Sequence, residues 1–336
     1  MLEVEAPRLR LRCGSCTGRA DPAGSPLTAA HPVRLASNTK TFVAAGILRL
    51  WEEGRLALDA TLETHLPAAP LRLLREGGYD PAAITLRHLL THTSGLFDYS
   101  DSAPFVARVL PGTHRWTRLE QLEGAMAWGR PYGAPGEVFR YSDTGYILLA
   151  EVLERVTGAP HYGAALRSLL DYRRLGLRHT WLEDFEPAPA ELPPRAAQYL
   201  DGVSNLGQEA SADLFGGGGL VATLADLLTF HRGLFTGRVY RRPQTLETML
   251  TSVPAKRGGP SAYGLAQIPG QYRMGLFARE FGGRLAYQHG GYFGTEAAHF
   301  PDLDATVALS VNQAESDAGE ELLDAVARRL GEAAAR

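Results

Sequence analysis

Between Ser37 and Glu53 the chain carries Phe42, Val43, Ala44, Ala45, Ile47, Leu48, Leu50 and Trp51, and Gly54 follows as a stop signal. Wound as an α-helix, these residues are apolar on nearly every face. Such a helix has no side to give to water and must lie buried between other layers. The chain therefore has to build its core around this segment. Its 336 residues suffice for two lobes about such a helix.

The flanking patterns say what those layers are. Arg8–Arg12 and Pro32–Leu35 alternate in short runs broken by Gly and Pro, as edge strands and turns do. Residues 55–214 hold amphipathic stretches such as Ile84–Leu90 and Ile147–Val156 between Pro/Gly-rich loops, which predicts a mostly helical lobe. Gly216–Gly219 punctuates the chain, and Leu220–Phe235 is helical again. Tyr263–Ile268, Gln271–Arg279, Leu285–His289, Glu296–Phe300 and Thr306–Val311 are short runs with close turns, the pattern of antiparallel strands. Ser316–Ala335 closes the chain as an amphipathic helix. The expected class is α+β. Residues 1–60 and 215–336 form an antiparallel sheet flanked by helices and closed by the N-terminal strands. Residues 61–214 form a mostly helical domain, and the active site lies in the cleft between the two.

Composition removes several functions. A net charge of −3 gives no whole-chain footprint for nucleic acid. No apolar run reaches the ~18–20 residues of a membrane span. Met1–Glu5 has neither a basic nor an apolar leader region, so a cytoplasmic location is expected. Cys13-Gly14-Ser15-Cys16 has no second cysteine pair or histidine set to complete a zinc site, and a strand and turn are expected there. His88 and His92, at i and i+4, lack a third ligand and are expected to be structural. No metal, no cofactor and no G-x-S-x-G elbow is read from the sequence.

Of 34 basic residues 32 are arginine, which leaves Lys40 and Lys256. Arginine does not give up its proton at usable pH, whereas a partly buried lysine can. Lys40 closes Ser37-Asn38-Thr39-Lys40 at the head of the apolar helix. Positions i and i+3 share a helix face, so the Ser37 hydroxyl and the Lys40 amine are expected to meet near the positive end of the helix dipole. A serine needs such a neighbour to become a nucleophile. Tyr141-Ser142-Asp143 precedes another apolar helix, starting near Tyr146, and its first and third residues project the same way from an extended loop. His289-Gly290-Gly291 ends a predicted strand, where two glycines let backbone approach a ligand.

In order and context, SNTK, YSD and HGG resemble the motifs of the penicillin-recognising serine hydrolases. These are class C β-lactamases, D-alanyl-D-alanine carboxypeptidases, D-aminopeptidases and related esterases. Leu86–Leu96 and Gly216–Thr223 are also similar to that family. The resemblance runs from about residue 30 to the end and implies a β-lactamase/transpeptidase-like fold. It implies Ser37 as the acylated nucleophile, Lys40 as its proton-handling partner, Tyr141 as general acid or base, and His289 as electrostatic support for the tyrosine. Asp143 stands where the family has Asn. The backbone N–H groups of Ser37 and Tyr292 match the oxyanion hole, beside Gly290 and Gly291.

Three departures stand out. A carboxylate at Asp143 favours a charged Lys40 and raises the proton affinity of Tyr141, so which of the two is the base stays open. Gly290 replaces a Thr whose hydroxyl holds a substrate carboxylate, and the strand end there is expected to be open and flat. The segment before Ser37 leaves little room for the family's N-terminal helix and two full strands. The implied function is a serine hydrolase acting through an acyl-enzyme on small esters or amides, with a small-molecule substrate and no nucleic acid or membrane partner. Two alternatives remain: a true β-lactamase or D,D-carboxypeptidase, and an inactive relative serving as a binding scaffold.

Overall fold

The computed structural model describes residues 1–109, 112–257, 270–314 and 316–336. Its largest sheet has six antiparallel strands in the spatial order Phe277–Phe281, Arg284–Gly291, Thr295–Phe300, Ala305–Ser310, Leu2–Ala6 and Leu11–Ser15. Side chains alternate across it as the pleat requires. Ala298, Phe300, Val307 and Leu309 face one way, against Leu323, Ala327 and Leu330 of the C-terminal helix Ala318–Ala334. Ala297 and Ala308 face the other way, into a larger core shared with Phe230 of the helix Leu224–Phe235 and with the central helix.

That central helix spans Thr39–Glu52, and Phe42, Val43, Ile47, Leu48 and Leu50 have no exposed surface. Helix Asp143–Thr157 packs beside it and contributes Tyr146, Ile147, Leu149 and Leu153 to the same core. Removing each large apolar side chain from water contributes about 1.5–3 kcal/mol. The all-round apolar pattern thus reports a helix enclosed on every side.

Several expectations need correcting. Val33–Arg34 does not join the main sheet; it pairs with Leu220–Ala222, which pairs in turn with Thr180–Leu182. Residues 220–222 are therefore strand, and the helix begins only at Leu224, where the Thr223 side chain accepts from the Asp226 amide. The expected strand Gln271–Arg279 begins at Phe277, and the helix placed near Tyr146 starts at Asp143. The N-terminal segment holds two full strands after all, joined by the short turn Pro7–Leu9. Cys13 lies on the edge strand Leu11–Ser15, and both cysteines are free thiols. The expected strand Tyr263–Ile268 lies outside the described residues.

One buried carboxylate holds the far end of the central helix. Glu52, only 5% exposed, accepts from the Arg241 and Arg242 amides at 2.9 and 2.7 Å and from the Thr245 hydroxyl at 2.8 Å, and it pairs with Arg49. Burial pushes its carboxyl up, but the bonds from Thr245, Arg242 and Arg241 and the Arg49 charge bring it below its ordinary value. Glu52→Ala is expected to cost at least ~2 kcal/mol in urea unfolding at pH 7, because it orphans these donors. A lowered pKa gives stability that is present above the unfolded-state value and lost as pH falls through the folded-state one. The gap between wild type and variant should therefore narrow in acid.

Candidate active site

The chain leaves strand Val33–Arg34, turns through Ala36 and enters the helix at Thr39. Ala36 has φ 44°, a left-handed conformation that costs a residue with a Cβ about a kcal/mol or more. This turn sets Ser37 at the head of the helix facing a cleft of about 710 Å³. Lys40, one turn on, has no exposed surface. Its ammonium donates to Ser37 Oγ at 2.9 Å and to the Gly217 carbonyl at 2.6 Å, and lies 2.6 Å from Asp143 Oδ1. It also sits 4.9 Å from the centre of the Tyr141 ring.

Burial alone would pull the Lys40 pKa down. The charges of Asp143 and Tyr141 and the hydrogen bonds they make outweigh burial, and the net direction is upward. Asp143 holds this position as the first residue of its helix, where the dipole favours a negative charge. Burial also raises the Tyr141 phenol; Lys40 opposes this and Asp143 adds to it. Tyr141 hydrogen-bonds both Lys40 and Ser37. Ser37, Lys40, Tyr141 and Asp143, spread over a hundred residues, form one contact cluster.

The glycine run completes it. A Cβ on Gly216 would fall 2.6 Å from the Tyr146 carbonyl, and one on Gly219 would fall 2.5 Å from the Tyr162 hydroxyl. Both glycines have φ 114°, outside the range of ordinary L residues. Only a chain without side chains passes this close, and passing close is what brings the Gly217 carbonyl to Lys40.

His289 reaches the site from the sheet, with its ring centre 6.2 Å from that of Tyr141. Burial, helped by the Lys40 charge, pulls its pKa down to about 3. It is a neutral imidazole at pH 7, not a cation beside the tyrosine. Its Nε2 lies 3.4 Å from the Tyr272 hydroxyl and its Nδ1 lies 2.7 Å from the Gly290 carbonyl. Gly290, Gly291 and Tyr292 line the cleft. The strand end at Gly290 is not open: the Glu296 carboxylate occupies the space beside it.

His88 and His92 have structural places. His88 closes a capping box with Thr85, and His92 Nδ1 accepts from the Ser142 amide at 3.1 Å. Among the described residues, no group of three or more His, Cys, Asp or Glu is arranged to hold a metal ion. No described helix is long and apolar enough to cross a membrane.

The sequence reading missed three residues. Tyr272 packs its ring 4.5 Å from His92 and bonds Tyr146 at 3.3 Å. Asp98 and Asp213 line the cleft near Asp143. Burial and then the Asp143 charge push Asp213 up to about 7, and the same causes push Asp98 well above the carboxylate range. The glycine run just after Asp213 was the available signal, since such a run marks close packing around its neighbours.

A family model described as Beta-lactamase matches residues 13–331. The chain belongs to the β-lactamase family. Its fold is the β-lactamase/transpeptidase-like one that the three motifs implied. The D-amino acid amidase of Ochrobactrum anthropi SV3 superposes with a TM-score of 0.78 at 25% identity, covering 99% of this chain and 92% of that one. A D-stereospecific amidohydrolase from Streptomyces sp. gives 0.73 at 25% identity, covering 96% and 92%. Esterase EstB of Burkholderia gladioli is 34% identical over 197 residues, which is 55% of this chain and 49% of the esterase. The chain covers between 27% and 56% of the length of the first curated relatives it matches.

Asp143→Asn should shift the acidic limb of the kcat/KM profile to lower pH by about one unit. The sign follows from the charges: Asp143 raises the proton affinity of Lys40, Tyr141 and Asp213 alike, so without it each deprotonates at lower pH. Rates measured from pH 5 to 10 on a variant with wild-type circular dichroism check this. An unmoved limb would separate Asp143 from the catalytic titration.

Proposed function

We propose that the protein is a serine hydrolase that forms an acyl-enzyme on Ser37 and acts on small esters or amides. The site then lies in the cleft where residues 1–60 and 215–336 meet residues 61–214. The observation that carries this reading is the fully buried Lys40 ammonium, held by Asp143 and donating to Ser37 Oγ. A buried cation is costly to desolvate, and this one holds a serine hydroxyl that lines the cleft.

Asp143 fixes Lys40 as an ammonium, so Tyr141 is the base: burial raises its phenol, which first releases its proton to water in the cleft as pH rises. Its phenolate, facing that ammonium, takes the Ser37 proton as Oγ attacks the acyl carbon. The developing oxyanion is held by the amides of Ser37 and Tyr292. When the acyl–oxygen or acyl–nitrogen bond breaks, Tyr141 returns the proton to the leaving group. Water then repeats the sequence and frees the acid. Neutral His289 orders Tyr272 beside this pair and adds no charge.

Ser37→Ala is expected to retain no more than a few per cent of the turnover of p-nitrophenyl acetate or butyrate, and intact-mass analysis should show a fluorophosphonate adduct only on the wild type. Activity surviving in the variant moves the nucleophile elsewhere. Lys40→Arg should be nearly as inactive as Lys40→Ala, because three partners enclose the amine and leave no space for a guanidinium.

The second reading, a true β-lactamase, is favoured by the family alone. Nitrocefin is expected to give a lower kcat/KM than the best short ester, and the reverse order would favour that second reading.

A further inference from the structure

The sheet wall of the cleft differs in chemistry from the rest of it. Strand Thr295–Phe300 places Glu296 directly opposite Gly290. A Cβ at Gly290 would lie 2.6 Å from Glu296 Oε1, so the missing side chain at 290 makes room for this carboxylate. Glu296 is 8% exposed and lines the cleft. Its Oε2 accepts from Gln288 Nε2. That bond leaves Gln288 Oε1, on a side chain only 2% exposed, with no donor among the described residues. Burial pushes the Glu296 carboxyl up to about 7, with Gln288 opposing, Glu320 adding and the Arg279 charge opposing. Two acceptors meet here: Gln288 Oε1 has no donor among the described residues, and the nearby Arg279 guanidinium is bound to Glu320 rather than to Glu296.

The charge balance of the whole cleft points the same way. Eight carboxylate residues line it against three arginines. Each arginine is already committed: Arg34 to Glu183 at 2.6 Å, Arg279 to Glu320 at 2.7 Å, and Arg108 to Glu120 at 3.5 Å. The segments outside the described residues carry no Lys, Arg or His. A substrate carboxylate entering the cleft meets no unpaired guanidinium, whereas a protonated amine meets acceptors at Glu296 and Gln288.

We propose that Glu296, with Gln288, forms a subsite for a protonated primary amine on the ester or amide, and that Glu296 sets selectivity against carboxylate-bearing substrates. This rests on the functional reading above, because it concerns what the same cleft admits. Above pH 7, where Glu296 is mainly ionised, its carboxylate attracts the ammonium and repels an anion, so a single residue acts on both sides of the selectivity ratio.

The test uses three aryl acetates that differ in one group: 3-(aminomethyl)phenyl, 3-methylphenyl and 3-carboxyphenyl acetate. Each kcat/KM is divided by that ester's hydroxide-catalysed rate. The wild type is expected to favour the ammonium ester over the carboxylate ester by about tenfold or more, with the methyl ester between them. Glu296→Gln keeps the size and an acceptor for Gln288, and should cut that ratio about fivefold or more. A wild-type carboxylate ester as good as the ammonium ester overturns the proposal, as does a ratio in Glu296→Gln within about twofold of wild type. Calorimetry with benzylamine and benzoate on Ser37→Ala reads the subsite without turnover. Tighter benzylamine supports it, and equal or tighter benzoate overturns it. Failure of the functional reading looks different: Ser37→Ala would hydrolyse all three acetates at wild-type rates, whatever the ratio.

Discussion

An ammonium group with no exposed surface is tolerated only when its lost hydration is replaced in full. Besides the Tyr141 hydroxyl, Lys40 receives that replacement from three directions: Ser37 Oγ, the Gly217 carbonyl and the Asp143 carboxylate. Each acceptor comes from a different segment: the head of the central helix, the glycine run and the start of helix Asp143–Thr157. If any of the three were displaced, a buried charge would be left unpaired, at a cost of several kcal/mol. The position of the lysine thus fixes how these segments sit together, and the buried helix exists to carry it.

The dependence also runs through backbone conformation. The Gly217 carbonyl reaches Lys40 because Gly216 and Gly219 adopt φ 114° and pass within contact of Tyr146 and Tyr162. The Tyr162 hydroxyl then bonds the Gly218 carbonyl at 2.6 Å, locking the run in place. On the other side, the strained Ala36 turns the chain so that Ser37 faces the cleft. The core supplies the energy for these conformations, through Phe42, Ile47 and Leu48 on one helix and Ile147, Leu149 and Leu153 on its neighbour.

What the sequence made legible was local. The all-round apolar pattern placed the central helix to within two residues, and the serine–lysine spacing followed from helical periodicity. The scarcity of lysine singled out Lys40 over Lys256, whose side chain is 81% exposed beside Glu137. What stayed hidden was long-range. Val33–Arg34 pairs with residues some 190 positions away because the pairing is decided by which edge is free once the helices have packed, and no local pattern records that. The protonation state of His289 was likewise not legible, because it depends on burial and on the Lys40 charge, which arrive from other segments. Glu296 was missed because the room it fills belongs to a glycine on another strand.

These hidden features share one electrostatic logic. Lys40 brings a positive charge to a dry site, and that charge acts with burial on His92 and His289 and against burial on Tyr141. Burial, and after it the Lys40 charge, pulls the pKa values of His92 and His289 down. Asp143 is the lysine's counter-ion, and its charge adds to burial, the larger cause, in pushing Asp98 and Asp213 upward. Burial and one lysine–aspartate pair thus act together, on His289 from the sheet, on His92 beside the helices, and on the carboxyls of Asp98 and Asp213. Between them the Tyr141 phenol, raised by burial but facing the ammonium, is the group whose proton is most directly governed by Lys40. A second fixed cation beside it would hold the phenolate too weakly basic to take the serine proton, and a second fixed anion would keep the phenol protonated. In the mechanism proposed above, the weak charge of the surrounding shell is therefore part of what would let Tyr141 exchange a proton with Ser37.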